Sequence, residues 1–482
     1  MMEHKVQASI VAMSVLLLCG IADTAPLDER ANKVDELFSP WDTEGTPGAV
    51  VAIIKDEKII YQQAYGMADL ERGVRLSRSS IFDIASISKQ FVAMSILLLE
   101  EQGKLSVDDD IRSYLPYFRD YGQTITIRHM IHHTSGLRDY MDLMELAGMK
   151  WENSYHQSEI VDLVARQQAL NNNPGEKFLY SNSGYLLLAE IIHKVSGQRL
   201  GAFTAEHIFK PLNMKISHFY EDFTRIVENR ALSYSQKETG GYQSVQYIFD
   251  VVGDTGLLTS IDDLFLWDQN FYNNVLGSEG PKLIDRMLIT GRLNSGEKLD
   301  YAFGLRHEEY RGLKVVRHGG GAAGYDTQLM RFPEQAFTVM VLSNLGEFSS
   351  TTLAKQVADI YLSDELTTAP KPVSTDSSPS ASPQAAPPDV SAMDLHAYTG
   401  HYYSSELDVT YVVGSVDGTL TFRLGYSPLD TRLVPSAADS TDSDTWDAGR
   451  TKLSFRRDRD ESVAGFNLSW GPIRNISFEK TR

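Results

Sequence analysis

A serine and a lysine three residues apart, Ser86 and Lys89, have the residue types and the spacing to do chemistry. Positions i and i+3 lie on one face of an α-helix, so the Ser86 hydroxyl and the Lys89 amine can point into the same cleft. A serine is a poor nucleophile at its free pKa, and a neighbouring amine kept neutral by desolvation can take its proton. The pair therefore predicts covalent catalysis by an activated serine.

The residues after this pair place the lysine at the head of a buried helix. Residues 91–99 are almost entirely apolar, and Gly103 is suited to end a helix. A buried lysine needs a reason to be there, because charged side chains are rarely buried without a partner. Taken alone, the pair is a weak signal, since the same spacing is common on solvated helices.

Two further motifs occur later in the chain. A turn delivers Tyr180 and Asn182, two residues apart, just before an apolar helix, and His318 opens a run of three glycines. Taken singly, the first motif could be a helix entry with an ordinary N-cap and the second a tight turn before a strand. Together with Ser86 and Lys89, they form S-x-x-K, Y-x-N and H-x-G in this order.

The ordered motifs resemble those of the serine β-lactamase and penicillin-binding-protein superfamily. The branch is that of class C β-lactamases, D-Ala-D-Ala carboxypeptidases, D-aminopeptidases and related esterases. The similarity covers about 37–362 and includes the segments 125–137, 253–260 and 341–344. It implies an α/β (α+β) fold with an antiparallel β-sheet flanked by helices plus an all-helical subdomain.

The resemblance assigns a role to each motif side chain. Ser86 would attack a carbonyl carbon, and Lys89 and Tyr180 would move the proton, with His318 as a further catalytic residue. A tyrosine has an ordinary pKa of about 10, so it acts as a base only where cations, here Lys89 and His318, stabilise its phenolate. Asn182 would bind the substrate amide or the Lys89 amine.

The resemblance also assigns roles to the backbone. The oxyanion would lie between the backbone N–H groups of Ser86 and Gly321. Gly319, Gly320 and Gly321 would bind substrate by letting its backbone approach closely. Another serine of the similar segments, Ser135, is interpreted as part of a structural turn and not as a second nucleophile.

The H-x-G motif departs from the Lys-Thr-Gly that β-lactamases usually carry. His318 is only partly charged near neutral pH, Gly319 and Gly320 offer no side-chain donor, and Arg317 would face away as the neighbour of His318 on a strand. We therefore expect an exported hydrolase that cleaves an ester or a D-amino-acid peptide through a Ser86 acyl-enzyme. A β-lactamase or D-Ala-D-Ala carboxypeptidase is the first alternative. The second is a non-hydrolysing penicilloyl-binding sensor or cell-wall binding protein.

Three histidines form a candidate metal site. His129, His132 and His133 fall at i, i+3 and i+4, which could present two imidazoles on one helical face. Metal sites normally add a further ligand and ordered supporting groups, and the chain has no H-E-x-x-H pattern. We therefore expect core or turn histidines, no metal and no other cofactor.

The elements that must position the motifs follow from apolar periodicity. The pattern predicts strands over 48–54, 58–65, 327–332 and 338–343 and a helix over 351–362. Helical stretches fill the middle of the chain. Together these elements predict a hydrolase domain over 30–364.

A second domain is predicted after a change in composition. Residues 365–392 are rich in Pro, Ser and Ala, which is typical of an extended linker. Beyond the linker, a domain over 393–482 alternates between apolar and polar residues, with strands expected at 400–404, 409–413, 420–424, 452–456 and 465–470. This pattern predicts a small C-terminal antiparallel β-barrel with an accessory role.

Composition and the N-terminus bound the partners and the location. The chain has 482 residues and a formal net charge of -19, which argues against nucleic-acid binding and leaves a small-molecule or peptide substrate. Residues 1–22 read as a signal peptide, and the single cysteine, Cys19, lies within it. A mature chain without disulfides favours a bacterial periplasm or exterior. Membrane attachment would require that this segment be retained or lipidated at Cys19.

Overall fold

The computed structural model describes residues 29–246, 248–368, 394–423, 431–436 and 444–481. The predicted signal peptide, 1–22, and all but the first four residues of the predicted linker, 365–392, lie outside the described residues. Among the described helices, none combines the length and the apolar character needed to cross a membrane.

The first domain is built on a central antiparallel sheet. In chain order, its strands and the short strands around it are β1 (Ala49–Lys55), β2 (Lys58–Tyr65), β3 (Met67–Asp69), β4 (Val74–Arg75), β5 (Phe82–Asp83), β6 (Ser154–Tyr155), β7 (His218–Phe219), β8 (Tyr234–Gln236), β9 (Tyr242–Ser244), β10 (Ile248–Phe249), β11 (Leu257–Thr259), β12 (Arg306–Tyr310), β13 (Leu313–Ala322), β14 (Tyr325–Phe332) and β15 (Phe337–Ser343). The central sheet has the order β12-β13-β14-β15-β1-β2.

Helices pack on both faces of this sheet. They are α1 (Glu29–Phe38), α2 (Lys89–Glu101), α3 (Ile127–Ile131), α4 (Tyr140–Leu146), α5 (Gln157–Ala165), α6 (Asn182–Ser196), α7 (Leu200–Thr204), α8 (Ile261–Gln269), α9 (Pro281–Met287) and α10 (Ser350–Tyr361). Successive β1 residues alternate between two cores: Val50 and Ala52 join the core around α2, and Val51 and Ile53 join the core around α1 and α10.

The first-domain prediction is confirmed in fold class. The predicted strands correspond to β1, β2, β14 and β15, and the predicted helix to α10, with ends that agree within two residues. The β1–β2 hairpin turns at Asp56 and Glu57, both with positive φ, as a two-residue type I′ turn requires. Gly103, with φ +67°, follows the end of α2, where a left-handed residue closes a helix.

The C-terminal domain is a nearly closed antiparallel barrel, as predicted. Its strands are β16 (Gly400–Ser404), β17 (Val409–Val416), β18 (Thr419–Arg423), β19 (Thr431–Arg432), β20 (Val434–Pro435), β21 (Thr445–Ala448), β22 (Thr451–Arg457), β23 (Val463–Trp470) and β24 (Ile473–Lys480). Stacked aromatic rings fill its interior, with Phe466 and Phe478 4.7 Å apart between centroids. The sequence pattern did not predict β24, which pairs with β16 and β23.

Candidate active site

The backbone that carries Ser86 is a tight turn held against the central sheet. Ser86 lies in a 3-10 turn, Ala85–Ser88, that continues directly into α2. Ala85 has φ +48°, a conformation that costs energy for a residue with a Cβ. The Thr327 hydroxyl of β14 donates to the Ile84 carbonyl at 3.0 Å. The sheet therefore fixes the turn that aims Ser86.

Three oxygen atoms enclose the amine of Lys89, which is fully buried. Its Nζ lies 3.0 Å from Ser86 Oγ, 2.9 Å from Asn182 Oδ1 and 2.9 Å from the backbone carbonyl oxygen of Asp254. The two carbonyl oxygens can only accept, so each takes one N–H of the amine. In a neutral lysine the lone pair is then directed at the Ser86 hydroxyl. This is the arrangement of a general base beside a nucleophile.

The ring of Tyr180 closes one side of this enclosure. Its centroid lies 5.0 Å from Lys89 Nζ, close enough for cation–π attraction when the amine is charged. The ring of His133 lies against Tyr180, with 4.1 Å between centroids. Burial, and then the charge of Lys89, hold the pKa of His133 well below its usual value. Tyr180 therefore contacts the amine on one side and a neutral histidine on another.

A carboxylate from a separate segment holds Asn182 at the start of α6. The N-cap residue, Ser181, makes no side-chain capping bond. Instead, the Asn182 backbone N–H donates to Asp139 Oδ2. Asp139 also caps α4 by accepting the Met141 N–H at 2.9 Å. One carboxylate thus caps two helices and orients the helix that directs Asn182 at Lys89.

His318 is a buried, neutral residue of β13. Burial, and then the charge of Lys89, lower the pKa of His318 to about 3. Its Nδ1 lies 2.6 Å from the Gly319 carbonyl oxygen, which can only accept, so Nδ1 carries the proton. Its Nε2 therefore accepts from the Tyr301 hydroxyl at 2.9 Å. The prediction that a charged His318 stabilises a Tyr180 phenolate is wrong, because burial keeps the imidazole uncharged.

The glycines after His318 lie inside β13 and not in a turn. A Cβ on Gly320 would stand 2.2 Å from the Ile84 carbonyl oxygen, so a larger residue would push the strand away from the turn that carries Ser86. Gly321 has open space at its Cβ position. Packing therefore requires a glycine at position 320, and Gly321 leaves room in the cleft.

Comparison with known proteins identifies the family. Residues 34–362 match the family model described as Beta-lactamase. The chain belongs to the β-lactamase family. Penicillin-binding protein 4* of Bacillus subtilis is 34% identical to this family member over 340 residues, which cover 66% of this chain and 73% of that protein. The resemblance found in the ordered motifs is thus confirmed.

Two further comparisons differ in how much of each chain they cover. A D-aminopeptidase of Brucella anthropi is 27% identical over 316 residues, which cover 66% of this chain and 59% of that enzyme, so the chain spans about three-fifths of that relative. The octameric penicillin-binding protein homologue from Pyrococcus abyssi has the same fold over 93% of this chain and 98% of its own, with a TM-score of 0.62 and 22% identity. Its fold therefore includes the barrel domain.

The site of this β-lactamase-family chain also contains residues that sequence reasoning missed. Asp254 contributes its carbonyl oxygen to Lys89, and Tyr140 donates to its carboxylate at 3.0 Å. Burial raises the pKa of Asp254 to about 6. The segment 253–260 carried a usable signal, since it was among those similar to the family. No local pattern pointed to Tyr301, which is brought to His318 by the fold.

The three candidate metal histidines do not converge. His129 Nδ1 accepts the Thr126 backbone N–H at 3.1 Å, His132 Nδ1 lies 3.3 Å from the Tyr301 carbonyl oxygen, and His133 Nδ1 accepts the Ser181 backbone N–H at 3.1 Å. Among the residues that the structure describes, no cluster of histidine, cysteine, aspartate or glutamate side chains could hold a metal ion. The His129 ring caps α3, and the His132 and His133 rings are buried in the core.

Two further sequence interpretations agree with the geometry. The Ser135 hydroxyl accepts the Leu137 backbone N–H at 3.2 Å within a turn. Arg317 pairs at 2.8 Å with Glu308, which also contacts Lys355 of α10 on the far face of the sheet. Ser135 is therefore a turn residue, and Arg317 faces away from the cleft.

Proposed function

We propose that this chain is a serine hydrolase that cleaves an ester or a D-amino-acid peptide through an acyl-enzyme on Ser86. The observation that carries the proposal is the 3.0 Å contact between Lys89 Nζ and Ser86 Oγ, in an enclosure where the other partners of the amine are carbonyl oxygens. Membership of the β-lactamase family supports the same assignment.

Acylation follows from this arrangement. The neutral form of Lys89 takes the hydroxyl proton as Ser86 Oγ forms a bond to the substrate carbonyl carbon. The carbonyl π electrons move onto oxygen, and the backbone N–H groups of Ser86 and Gly321 bind the resulting oxyanion. Collapse of the tetrahedral intermediate breaks the bond to the leaving alcohol or amine. Protonated Lys89, with Tyr180, returns the proton to that group.

Deacylation uses the same side chains with water as nucleophile. Lys89 and Tyr180 remove a proton from water as its oxygen attacks the acyl carbon. The bond between the acyl carbon and Ser86 Oγ then breaks, and the proton returns to Ser86 Oγ. Asn182 holds the amine through its Oδ1 during both steps. The carboxylic acid is released, and the free enzyme is regenerated.

The charge of the cleft favours a substrate without a carboxylate at the H-x-G strand. His318 is uncharged, and the nearby Arg306 guanidinium is paired with Asp300 at 3.0 Å. A carboxylate bound there would lose water without gaining a fixed positive partner. The similarity to a protein named D-aminopeptidase supports a D-amino-acid substrate. An ester with an uncharged acyl group suits the same cleft.

A β-lactamase or D-Ala-D-Ala carboxypeptidase is the second candidate, and the 34% identity to penicillin-binding protein 4* favours it. A related candidate forms the penicilloyl adduct at Ser86 and does not hydrolyse it, as a sensor or cell-wall binding protein would. Kinetics distinguish the sensor from the hydrolysing candidates, because a sensor gives one burst of product and a hydrolase goes on to steady turnover.

Export is part of the proposal. The pattern over 1–22 is that of a signal peptide, which would send the chain to the bacterial periplasm or exterior. Expression with and without 1–22, followed by fractionation and sequencing of the mature N-terminus, tests this separately from activity.

A substrate panel tests the function. Short-chain nitrophenyl esters, D-amino-acid nitroanilides, a D-Ala-D-Ala peptide and a chromogenic cephalosporin are each assayed with wild type, Ser86→Ala and the control Ser135→Ala. Turnover of the ester or nitroanilide is expected in wild type and Ser135→Ala and is expected to be lost in Ser86→Ala. A covalent adduct on a residue other than Ser86 would overturn the mechanism. Faster turnover of the cephalosporin than of the ester would overturn the substrate assignment.

A further inference from the structure

Outside the cleft, a buried ion pair joins the barrel domain to the hydrolase domain. Arg138 Nη1 lies 2.6 Å from Glu406 Oε2, and the two side chains are 0% and 1% exposed. Arg138 lies just before α4, and Glu406 lies in the turn between β16 and β17 of the barrel. The pair therefore connects two domains through charges that water does not reach.

Further hydrogen bonds hold both partners. Arg138 Nη2 donates to the Arg474 backbone carbonyl of β24 at 2.6 Å. The Glu406 carboxylate accepts the backbone N–H of Gln168 at 2.7 Å and that of Ser477 at 3.0 Å. A carboxylate from the barrel is thus the anion that balances a guanidinium buried in the hydrolase domain. Loss of either charge would leave the other uncompensated in the interior.

The backbone next to Arg138 holds the first turn of α6. The Arg138 carbonyl oxygen accepts the Ser183 hydroxyl at 2.7 Å, and the adjacent Asp139 carboxylate accepts the Asn182 backbone N–H. Asn182 in turn accepts from Lys89 Nζ through Oδ1 at 2.9 Å. Contacts therefore run without interruption from the barrel carboxylate to the amine beside the nucleophile.

We infer that Glu406 is a positioning residue for the reaction at Ser86. By neutralising Arg138, it fixes the 138–139 segment, which sets the start of α6 and so the place of Asn182 on Lys89. The inference rests on the proposed serine hydrolase function. It gives the barrel domain a definite role, because a side chain of this domain completes the support of the catalytic amine from outside the cleft.

The charge of Glu406 is the feature to test. In Glu406→Gln the side chain keeps its shape and one acceptor oxygen but loses its charge, so Arg138 is left uncompensated. With active sites counted by the burst amplitude, kcat per site is expected to fall about 10- to 100-fold, because a small misplacement of catalytic groups is costly. KM is expected to change by less than about threefold, since the lost contact acts in the chemical step.

Tyr411→Phe is the matched control. The Tyr411 hydroxyl of β17 donates to the Leu146 carbonyl at the end of α4, so it also joins the two domains but does not touch the 138–139 segment. Its kcat per site is expected to stay at the wild-type value. An equal fall in Tyr411→Phe and Glu406→Gln would overturn the inference, because general docking of the barrel would then explain both.

A double variant separates charge balance from loss of structure. Arg138→Met with Glu406→Gln removes both charges and keeps an acceptor oxygen at position 406 for the backbone N–H groups of Gln168 and Ser477. It is expected to recover most of the activity lost in Glu406→Gln, and its melting temperature shows whether it is folded. A double variant that is folded and as slow as Glu406→Gln would overturn the inference.

Hydrogen exchange provides a readout that does not depend on the proposed function. Amide protection in 138–142 and 182–186 is expected to fall in Glu406→Gln and to stay unchanged in Tyr411→Phe. Failure of wild type to be acylated at Ser86 would reject the hydrolase proposal and leave this structural measurement decisive. Wild-type protection in Glu406→Gln would overturn the positioning role.

Discussion

The Tyr301 hydroxyl donates a hydrogen bond to His318 Nε2 at 2.9 Å, in a pair where neither group is ionised near neutral pH. Burial raises the pKa of Tyr301 well above its usual value and lowers that of His318 to about 3. The strand that carries His318 therefore presents an uncharged imidazole in place of the lysine expected from a Lys-Thr-Gly motif. This neutrality decides the expected pH behaviour of the site.

Titration of His318 is not expected to shape the pH profile of kcat/KM. Because its pKa is about 3, the imidazole stays neutral from pH 5 to pH 8. His318→Gln should lower kcat/KM without moving the acid limb of the profile in that range. If a limb near pH 6.5 is present in wild type and disappears in the variant, the neutral assignment is wrong.

The free energy of unfolding is also expected to depend on pH through His318. The folded pKa of His318 is depressed, so below about pH 6.5 the unfolded chain binds a proton that the native chain does not. Its contribution to the free energy of unfolding therefore falls by about 1.4 kcal/mol per pH unit as pH drops from 6.5 toward 3. Urea unfolding at pH 6.5 and pH 5 should show a shallower decline in His318→Gln. An equal decline in the free energy of unfolding in wild type and His318→Gln would contradict the prediction.

Loss of the Lys89 amine is expected to stop the chemical step. Lys89→Met keeps a long side chain in the buried site but removes the group that contacts Ser86 Oγ. The rate of Ser86 acylation by a nitrophenyl ester should fall about 100- to 10,000-fold, the range of general acid–base catalysis. Near-ultraviolet circular dichroism establishes that the variant is folded. Wild-type acylation in a folded variant would remove Lys89 from the mechanism.

Two neighbouring glycines should respond differently to a methyl group. In Gly320→Ala the new Cβ meets the Ile84 carbonyl oxygen, and overpacking of this kind costs about 1–3 kcal/mol in the free energy of unfolding. Gly321→Ala adds a Cβ where nothing lies within 4 Å, so its free energy of unfolding should match wild type. Chemical denaturation of both variants checks the contrast. Equal destabilisation would show that the strand does not pack on the turn as described.

Loss of a buried ion pair should destabilise the protein more than loss of an exposed one. Arg331 Nε donates to Asp268 Oδ1 at 2.8 Å, and Arg331 Nη2 forms an ion pair with the same oxygen at 2.7 Å, with both side chains almost fully buried. Asp268→Ala leaves the guanidinium unpaired in the core and should lower the free energy of unfolding by about 3–5 kcal/mol. Lys314→Ala, which breaks the exposed pair with Glu334, is the control and should leave the melting temperature at the wild-type value. A similar loss in both would contradict the burial argument.

The local sequence was sufficient for four of the six strands of the central sheet and for the catalytic pair. Strand β2 was predicted at 58–65 because β-branched and aromatic residues follow a turn at Asp56 and Glu57, a pattern that depends only on near neighbours. Ser86 and Lys89 could be paired because an i, i+3 spacing brings side chains together in any helical turn. Strand β13 was not among the predicted strands, since its run of three glycines has the composition of a turn and lies in a strand only because β14 pairs with it.

The sequence by itself determined which residue types are available for acyl transfer and the order in which they occur. The tertiary structure decided their state. His318 is neutral because other elements bury it, the Asp254 carbonyl reaches Lys89 across 165 residues, and Glu406 balances Arg138 across 268 residues. Burial and long-range pairing depend on which distant segments come together in the fold, and a local sequence pattern does not specify those contacts.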